Sequence, residues 1–353
     1  MSPPGGAAPS CPEIDPAAPL LFVINAASGA NDAAAKGQVI EAALQAAGRR
    51  GELLFCRPTE LADVAKGAAA RALGTKTAVV AVGGDGTLNT VAQAAHGVGC
   101  AMGVVPQGTF NYFARTHGIP SDPGEAARLL MSAVPAPVQV AAINDRVFLV
   151  NASLGLYPDL LQDREAYKAR FGRSRWVAFV AACATLLRAQ RRLRLHIEMG
   201  DSARDVRTLT LFIGNNRLQL QQFGAEPEDT LAGTPGHGSM AALMLRPIGA
   251  WSMLGLLLHG AMGRLGEAAG VEGFEFQHLV VRPTLAPGRK DVTVAFDGEV
   301  ARMRSPVDIR VLQRPLYLLQ APKDAHAATA AWEASLARRA ALKRSSRSGK
   351  REG

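Results

Sequence analysis

A cluster of glycines around one carboxylate has the residue types that most directly suggest chemistry. The segment Val82–Asn89 reads VGGDGTLN and stands between a strand-like stretch, Thr77 to Val82, and a helix-like stretch, Thr87 to Ala95. Glycines let the backbone approach an anion and turn its N–H groups toward it, and the helix adds the positive end of its dipole. Asp85 would repel a phosphate unless a cation or a reacting hydroxyl stood between them. The segment therefore predicts a site for phosphate chemistry, with a plain strand-to-helix turn as the alternative.

Two further turns have a similar composition. Asn25-Ala26-Ala27-Ser28-Gly29 follows the first strand-like stretch, and the segment Pro106 to Arg115, which reads PQGTFNYFAR, follows the fourth. Ligands of parallel sheets bind outside the carboxyl ends of the strands. We therefore expect these two turns and the glycine-rich turn to converge on one crevice.

The elements that must position these turns alternate in the first third of the chain. Helix-like stretches at Ala33 to Ala47 and Leu61 to Leu73 separate short apolar stretches that are typical of buried strands: Leu20 to Asn25, Glu52 to Cys56, Thr77 to Val82 and Ala101 to Val105. This alternation predicts an α/β domain with a parallel sheet covered on both faces.

After about residue 135 the pattern changes to strands joined without helices. Val138 to Ile143 and Val147 to Ala152 predict a hairpin across Asn144-Asp145. Two predicted helices interrupt these strands, Arg175 to Gln190 and Gly249 to Leu265. Further strands are predicted at Leu193 to Met199, Arg207 to Ile213, Met240 to Leu245, Phe274 to Val281, Val292 to Phe296 and Val307 to Leu312. The second domain is therefore predicted to be β-rich and antiparallel, a sandwich or a barrel-like sheet.

These patterns give a plan for the whole chain. It consists of a disordered leader (1–19), an α/β domain (20–135), a β-rich domain (136–313), a C-terminal return segment and helix (314–337), and a basic disordered tail (338–353). The leader has neither the basic start nor the apolar core of a signal peptide.

Composition narrows the class of protein. The 353 residues are 48% apolar and 20% charged, which predicts a folded globular chain. The longest strongly apolar run, Trp176 to Leu187, is shorter than the roughly 20 residues that a membrane-spanning helix needs. The four cysteines are far apart and match no zinc or redox spacing, so a reduced, cytoplasmic setting is expected.

The net charge of +9 is concentrated in two segments. Arg164 to Arg194 contains nine basic residues and one acidic residue, and residues 338–353 contain seven and one. Each segment could meet an anionic partner such as acidic lipid, or could simply be a solvated surface. Aromatic residues do not alternate with the charges of the tail, so nucleic acid is not an expected partner.

The three turns, together with Asp297-Gly298-Glu299, carry a family resemblance. From Leu20 to Gln320 the chain resembles the diacylglycerol-kinase catalytic family, which includes bacterial lipid kinases and the sphingosine and ceramide kinases. The resemblance implies an N-terminal α/β domain with a parallel sheet, a β-rich antiparallel C-terminal domain and an active cleft between them. It also implies transfer of the γ-phosphoryl group of ATP to a lipid hydroxyl with Mg²⁺.

The resemblance also implies roles for individual residues. Nucleotide contacts are expected from Asn25, Ser28 and Gly29 on the first turn, and from Gly108, Thr109 and Asn111 on the third. The phosphates are expected to lie against Gly83, Gly84, Asp85, Gly86, Thr87, Leu88 and Asn89.

Three carboxylates are candidates for the proton acceptor that the family implies. Glu299 is the leading candidate, Asp297 could share its role or orient the metal, and Asp85 is a weaker rival. If strand geometry continued past Phe296, Asp297 and Glu299 would face the same side, whereas Gly298 makes a turn equally possible. Without the resemblance, an ordinary β-turn with solvated acids would be the preferred interpretation.

Some positions depart from the family pattern. Asn25 is followed by Ala26 rather than proline, and Tyr112 replaces the usual acid after Asn111. His237 and Ala241 occupy positions where bacterial members often have acids that bind a structural Mg²⁺, so we do not expect that accessory site. The sequence assigns no metal ligand.

The leading hypothesis is an ATP-dependent lipid kinase acting on a diacylglycerol-like lipid, cytoplasmic and peripheral to the anionic inner face of the membrane. One alternative is a kinase with a soluble substrate, such as an NAD kinase, which shares the Gly-Gly-Asp-Gly core. Another is a catalytically weak lipid-binding regulator, for which His237 and Ala241 are the best support. The acceptor lipid and the oligomeric state are left open.

Overall fold

The computed structural model describes residues 11–27, 33–108, 111–155, 193–215, 238–245 and 271–348. The chain divides into two compact units. Unit 1 comprises Met1–Val140 and Leu312–Gly353, and unit 2 comprises Ala141–Val311. The predicted helices at 175–190 and 249–265 lie outside the described residues.

Strands and helices are numbered in chain order within the described residues. The strands are β1 (Leu20–Asn25), β2 (Gly51–Cys56), β3 (Ala78–Gly83), β4 (Ala101–Pro106), β5 (Val134–Val138), β6 (Ala141–Ile143), β7 (Arg146–Phe148), β8 (Asn151–Gly155), β9 (Leu193–Met199), β10 (Ser202–Thr208), β11 (Thr210–Gly214), β12 (Met240–Leu245), β13 (Val271–Phe276), β14 (His278–Pro283), β15 (Asp291–Phe296), β16 (Glu299–Arg304), β17 (Val307–Val311) and β18 (Leu316–Gln320). The helices are α1 (Ala33–Ala46), α2 (Leu61–Gly74), α3 (Asp85–Val98), α4 (Tyr112–Thr116), α5 (Pro123–Ser132) and α6 (Pro322–Ser348).

Unit 1 is built on one six-stranded sheet in the order β2-β1-β3-β4-β18-β5. Neighbouring strands from β2 to β18 run parallel, and β5 pairs antiparallel with β18. All six residues of β3 and of β4 are buried, as expected for parallel strands covered on both faces. In α2 the buried residues recur at helical spacing: Leu61, Ala65, Ala68, Ala69 and Ala72.

Unit 2 consists of two antiparallel sheets. One has the order β10-β9-β14-β17-β6-β7, and the other, sheet C, has the order β13-β12-β11-β8-β15-β16. Apolar side chains from both sheets form one buried cluster, which is the packing of a β-sandwich. The predicted fold class, an α/β unit with a parallel sheet and a β-rich antiparallel unit, is therefore confirmed.

The predicted hairpin turn at Asn144-Asp145 is present, but its arms, β6 and β7, are shorter than the predicted strands. Ile143 pairs with Arg146 across a two-residue turn, and Asn144 has φ 51. A positive φ is required by the turns that match the twist of a hairpin, and asparagine tolerates it better than most residues. Local turn chemistry was sufficient for this prediction.

The structure describes part of each of the two segments that were predicted to be disordered. In the leader, the Asp15 N–H donates to the Lys76 carbonyl at 2.8 Å, the Arg50 guanidinium donates to the Ala17 carbonyl at 2.6 Å, and Ala18 is buried. Proline and alanine give no periodic pattern, but the backbone of residues 11–19 is held by hydrogen bonds to later turns. Residues 1–10 lie outside the described residues.

The C-terminal tail is the second case. The helix α6 continues to Ser348, although disorder was predicted from residue 338. Alanine, leucine, lysine and arginine are good helix formers, and their propensity outweighs the high charge of this segment. Across the described ranges, no helix is both long enough and apolar enough to cross a membrane.

Candidate functional site

The glycine-rich turn joins β3 directly to α3. Gly84 precedes the helix in an extended conformation, with φ −84 and ψ −176, and provides no side chain to cap the first N–H groups. Uncapped N–H groups and the positive end of the dipole make the start of α3 suited to an anion. A Cβ atom built on Gly83 would lie 2.5 Å from the Thr87 hydroxyl oxygen, so this close approach of strand and helix requires glycine.

Gly83→Ala is expected to lower the free energy of unfolding by about 1–3 kcal/mol, because the new methyl group overlaps the Thr87 side chain. Gly97→Ala is the matched control in the same helix. A Cβ at Gly97 meets nothing within 4 Å, and alanine there should stabilise the helix by about 0.5–1 kcal/mol. Urea unfolding of both variants tests the pair, and equal stabilities would contradict the proposed steric requirement.

The three turns predicted to converge lie together in unit 1. The Asn25 side-chain amide donates to the Thr87 hydroxyl oxygen at 3.1 Å, which joins the end of β1 to the start of α3. The Gln107 N–H donates to the Gly83 carbonyl at 2.8 Å. A Cβ built on Gly108 would lie 3.2 Å from the Gly84 Cα atom, so the turn after β4 packs closely against the glycine-rich turn.

The residues predicted to contact the nucleotide differ in how far they are described and in how exposed they are. Ser28, Gly29 and Thr109 lie outside the described residues. Leu88 and Asn89 are buried, and the Gly86 carbonyl accepts a hydrogen bond from the Thr90 hydroxyl at 2.9 Å. Contacts from Leu88 are therefore restricted to its backbone.

Asn111 shapes the third turn. Its amide oxygen accepts from the Gly108 N–H at 3.0 Å and its amide nitrogen donates to the Gly108 carbonyl at 2.9 Å, and its backbone has φ 46. The side chain therefore closes the turn between residues 108 and 111. Any contact of Asn111 with a nucleotide stays a prediction.

Asp85 is the first residue of α3 and has an unusual carboxylate. Its Oδ1 atom is buried and has no hydrogen-bond partner, and burial raises the pKa of this carboxyl above its ordinary value. A buried charged oxygen without a partner is costly, and such groups are concentrated at functional sites. The oxygen is a suitable ligand for a hard cation or an acceptor for a hydroxyl group.

The Asp-Gly-Glu segment forms a two-residue hairpin turn in unit 2. Phe296 pairs with Glu299, and the two residues between them have φ values of 45 and 84. Positive φ at both positions explains why an Asp-Gly pair stands here. The structure therefore contains the turn rather than a continued strand: Asp297 is the first residue of the turn, and Glu299 begins the next strand.

The two acids of this turn have different surroundings. Glu299 is exposed at the start of β16. Asp297 is buried, and its carboxylate accepts hydrogen bonds from the backbone N–H groups of Leu149, Val150 and Asn151. Of the two, only Glu299 is exposed to react with a hydroxyl from outside the unit.

Asn215 is a residue that sequence reasoning missed. Its side chain is buried and donates to the Leu149 carbonyl at 2.9 Å. The sequence offers only a Gly-Asn pair directly after the predicted strand Arg207 to Ile213, which is too common a pattern to identify a role.

The accessory metal site was not expected from the sequence, and one of the two positions on which that expectation depends is described. Ala241, which takes the place of an acid, is buried in β12 and has no oxygen in its side chain, while His237 lies outside the described residues. Among the described residues, no three His, Cys, Asp or Glu side chains are grouped so as to hold a metal ion. The unpartnered Oδ1 atom of Asp85 is available to a cation brought by another molecule.

The comparisons with known proteins agree with the position of these turns. The model of the diacylglycerol kinase catalytic domain matches residues 19–143, which include all three turns. A probable lipid kinase YegS-like from Serratia proteamaculans is 33% identical over 146 residues, 40% of this chain and 46% of the relative. Another from Klebsiella pneumoniae is 40% identical over 79 residues, 22% of this chain and 27% of the relative. The matches thus span less than half the length of these curated relatives.

The fold likeness extends further along the chain. The crystal structure of a putative diacylglycerol kinase from Bacillus anthracis, 19% identical, superposes with a TM-score of 0.65 and covers 86% of this chain and 98% of its own. A second diacylglycerol kinase structure from the same organism gives 0.59 at 16% identity, covering 86% and 97%. At such identity the likeness supports the fold alone. The resemblance to the diacylglycerol-kinase catalytic family is therefore confirmed in sequence over residues 19–143 and in fold over most of the chain.

Proposed function

We propose that this protein is an ATP-dependent lipid kinase that transfers the γ-phosphoryl group of ATP to a lipid hydroxyl. The observation that carries the proposal is the unpartnered, buried Oδ1 atom of Asp85 at the start of α3, among three turns that meet at one edge of the sheet. A carboxylate at an anion-binding helix terminus is unfavourable unless a cation or a hydroxyl completes the site.

The turns of unit 1 are assigned to the nucleotide. Backbone N–H groups at the uncapped start of α3 suit the phosphates, and the close packing of Gly84 against Gly108 leaves room for backbone rather than side chains. The bond from Asn25 to Thr87 fixes the first turn against the second. Phosphoryl transfer depends mainly on positioning and charge neutralisation, which such turns supply.

Mg²⁺ fits the donor at Asp85, since it prefers hard oxygen ligands. When bound with ATP, the cation would neutralise charge that develops on the phosphates. The proposal gives Asp85 the role of holding this cation. No other side chain among the described residues is assigned to a metal.

Glu299 is assigned to the acceptor. An exposed carboxylate at the start of a strand can accept a hydrogen bond from an incoming hydroxyl and take its proton as the new P–O bond forms. Little proton removal is needed early in a loose transition state, so an ordinary carboxylate is sufficient. Asp85 stays the rival for this role.

A lipid acceptor is supported by the names of the curated relatives, which are probable lipid kinases. The basic segment at 338–353 supports a peripheral position at an anionic membrane surface, because lysine and arginine near such a surface are attracted to it. We propose a cytoplasmic protein that meets its substrate there.

A transfer assay with the full chain tests the proposal. Radiolabelled ATP and Mg²⁺ are incubated with vesicles containing diacylglycerol, a sphingoid base or an isoprenoid alcohol, and separately with NAD. We expect label in one of the lipids and none in NAD. Transfer to NAD alone would replace the lipid assignment by a soluble-substrate kinase, and lipid binding without any transfer would favour a regulator.

A further inference from the structure

The carboxylate of Asp297 holds a segment of unit 2 that is distant in sequence. Its Oδ2 atom accepts from the Leu149 N–H at 2.7 Å, and its Oδ1 atom accepts from the N–H groups of Val150 at 2.8 Å and Asn151 at 3.1 Å. The Asp297 N–H in turn donates to the Asn151 carbonyl at 3.0 Å. Three consecutive backbone donors thus converge on one buried side chain.

The same segment, residues 149–151, is held from a second side. The Asn215 amide nitrogen donates to the Leu149 carbonyl at 2.9 Å, and the Asn215 N–H donates to the Val150 carbonyl at 2.9 Å. Asn215 follows the last residue of β11, and Asn151 begins β8 beside it in sheet C. The segment therefore has fixed partners for both its N–H groups and its carbonyls.

This arrangement adds to the local preference for the turn. Asp297 has φ 45, a conformation that aspartate and asparagine adopt more readily than most residues with a side chain. Hydrogen bonds to a charged acceptor are stronger than neutral ones and hold the turn further in place. Because the turn contains only two residues, fixing Asp297 also fixes the point at which Glu299 begins β16.

The orientation of the carboxylate argues against a direct chemical role. A proton acceptor must direct a lone pair toward the substrate hydroxyl. Both oxygens of Asp297 instead face backbone N–H groups of their own unit, and the residue is buried. Glu299, two residues later, has the exposure that Asp297 lacks.

We propose that Asp297 is a positioning residue: with Asn215 it clamps the 149–151 segment to the hairpin turn and thereby sets the place of Glu299. The inference rests on the proposed function, in which Glu299 receives the proton of the acceptor hydroxyl. It removes Asp297 from the candidates for proton acceptor and metal ligand, and it adds Asn215 to the residues on which turnover depends.

Asp297→Asn tests the clamp without depending on activity. The amide nitrogen of asparagine cannot accept a hydrogen bond, so one oxygen acceptor of the clamp is lost. Hydrogen exchange in peptides spanning 149–151 should accelerate by about 10- to 100-fold, the factor for loss of a hydrogen bond to a charged group. In Glu299→Gln, which leaves every bond of the clamp in place, exchange of the same peptides should be unchanged.

Kinetics of the same variants test the positioning role. Turnover of Asp297→Asn should fall by about 10- to 100-fold, with the KM for ATP unchanged. In a Glu299→Gln background, Asp297→Asn should lower turnover by less than about threefold, because a residue that acts through another has a non-additive effect. An additive loss would overturn the inference, as would lost turnover with wild-type exchange, since each would mean that Asp297 acts directly.

Asn215→Ala provides an independent variant if Asp297→Asn does not fold. It removes the donor to the Leu149 carbonyl and leaves the Asp297 carboxylate intact. We expect faster exchange at 149–151 and lower turnover, and wild-type values of both would overturn the inference. If wild-type protein transfers phosphate to no acceptor while exchange accelerates in the variants, the proposed function fails and the clamp itself is supported.

Discussion

Glu299→Gln is expected to lower turnover by about 10³-fold while affinity for ATP changes by less than about twofold, the range typical of a lost general base. Glutamine keeps the size of the side chain and a carbonyl oxygen but cannot take a proton. Because Glu299 is exposed at the start of β16, its replacement should leave stability unchanged. Steady-state transfer kinetics and nucleotide binding, measured on the same preparation, separate the two effects.

The same hairpin offers a matched control. Asp291 is an exposed carboxylate at the opposite end of the β15–β16 pair, where it lies across from Arg304. Asp291→Asn should leave turnover within about twofold of wild type, as is usual for surface substitutions. A normal rate in Glu299→Gln, or an equal loss in both variants, would remove Glu299 from its assigned role.

Asp85→Asn is the second substitution with a large expected effect. Transfer should fall by about 10²- to 10³-fold, the size typical of losing one group that stabilises charge in the transition state. Stability should not fall, because the carboxylate has an unpartnered buried oxygen and asparagine carries no charge. The combination of lost activity and retained stability distinguishes a functional carboxylate from a structural one.

The pH dependence of stability tests the cause of the shifted Asp85 pKa. Burial raises that pKa in the folded chain, so the folded state binds the proton more tightly than the unfolded state, where the value is about 3.9. The free-energy cost of ionising Asp85 in the folded state is absent at a pH below the pKa of the unfolded chain. It is fully present at a pH above the pKa of the folded chain. The stability of Asp85→Asn relative to wild type should therefore increase as pH rises through this window.

Asp63 serves as the control for the transfer measurement. It is an exposed acid in the first turn of α2, two positions further into its helix than Asp85 is in α3. Asp63→Asn should keep normal transfer. Loss of transfer in this variant would mean that first-turn acids matter in general, and the argument for Asp85 would fail.

Most of the structural features that the sequence could predict depend on local patterns of residues. The strand, glycine turn and helix around Asp85 depend on residues within one short segment, as does the hairpin turn at Asn144. Convergence of the three turns followed from parallel strands sharing one edge. These features need no knowledge of distant partners.

Contacts between distant segments were not predictable in the same way. Gly298 permitted either a strand or a turn, and the turn is held by the clamp on Leu149 to Asn151, more than 140 residues earlier. Asn215 bonds to the carbonyls of the same segment, and it has no distinctive neighbours in the sequence. In both cases the deciding hydrogen bonds depend on how strands pair in sheet C, which no local pattern encodes.

The position of β18 in its sheet determines whether the N-terminal part of the chain could fold when expressed alone. This strand, close to the C-terminus, lies between β4 and β5 and pairs with both. The segment that matches the kinase family model ends at residue 143 and so contains five of the six strands of its own sheet. Expressed alone, that segment would lack the strand that joins β4 to β5 and would leave the facing edges of those two strands open to aggregation. During synthesis, unit 1 cannot complete its sheet until unit 2 has left the ribosome.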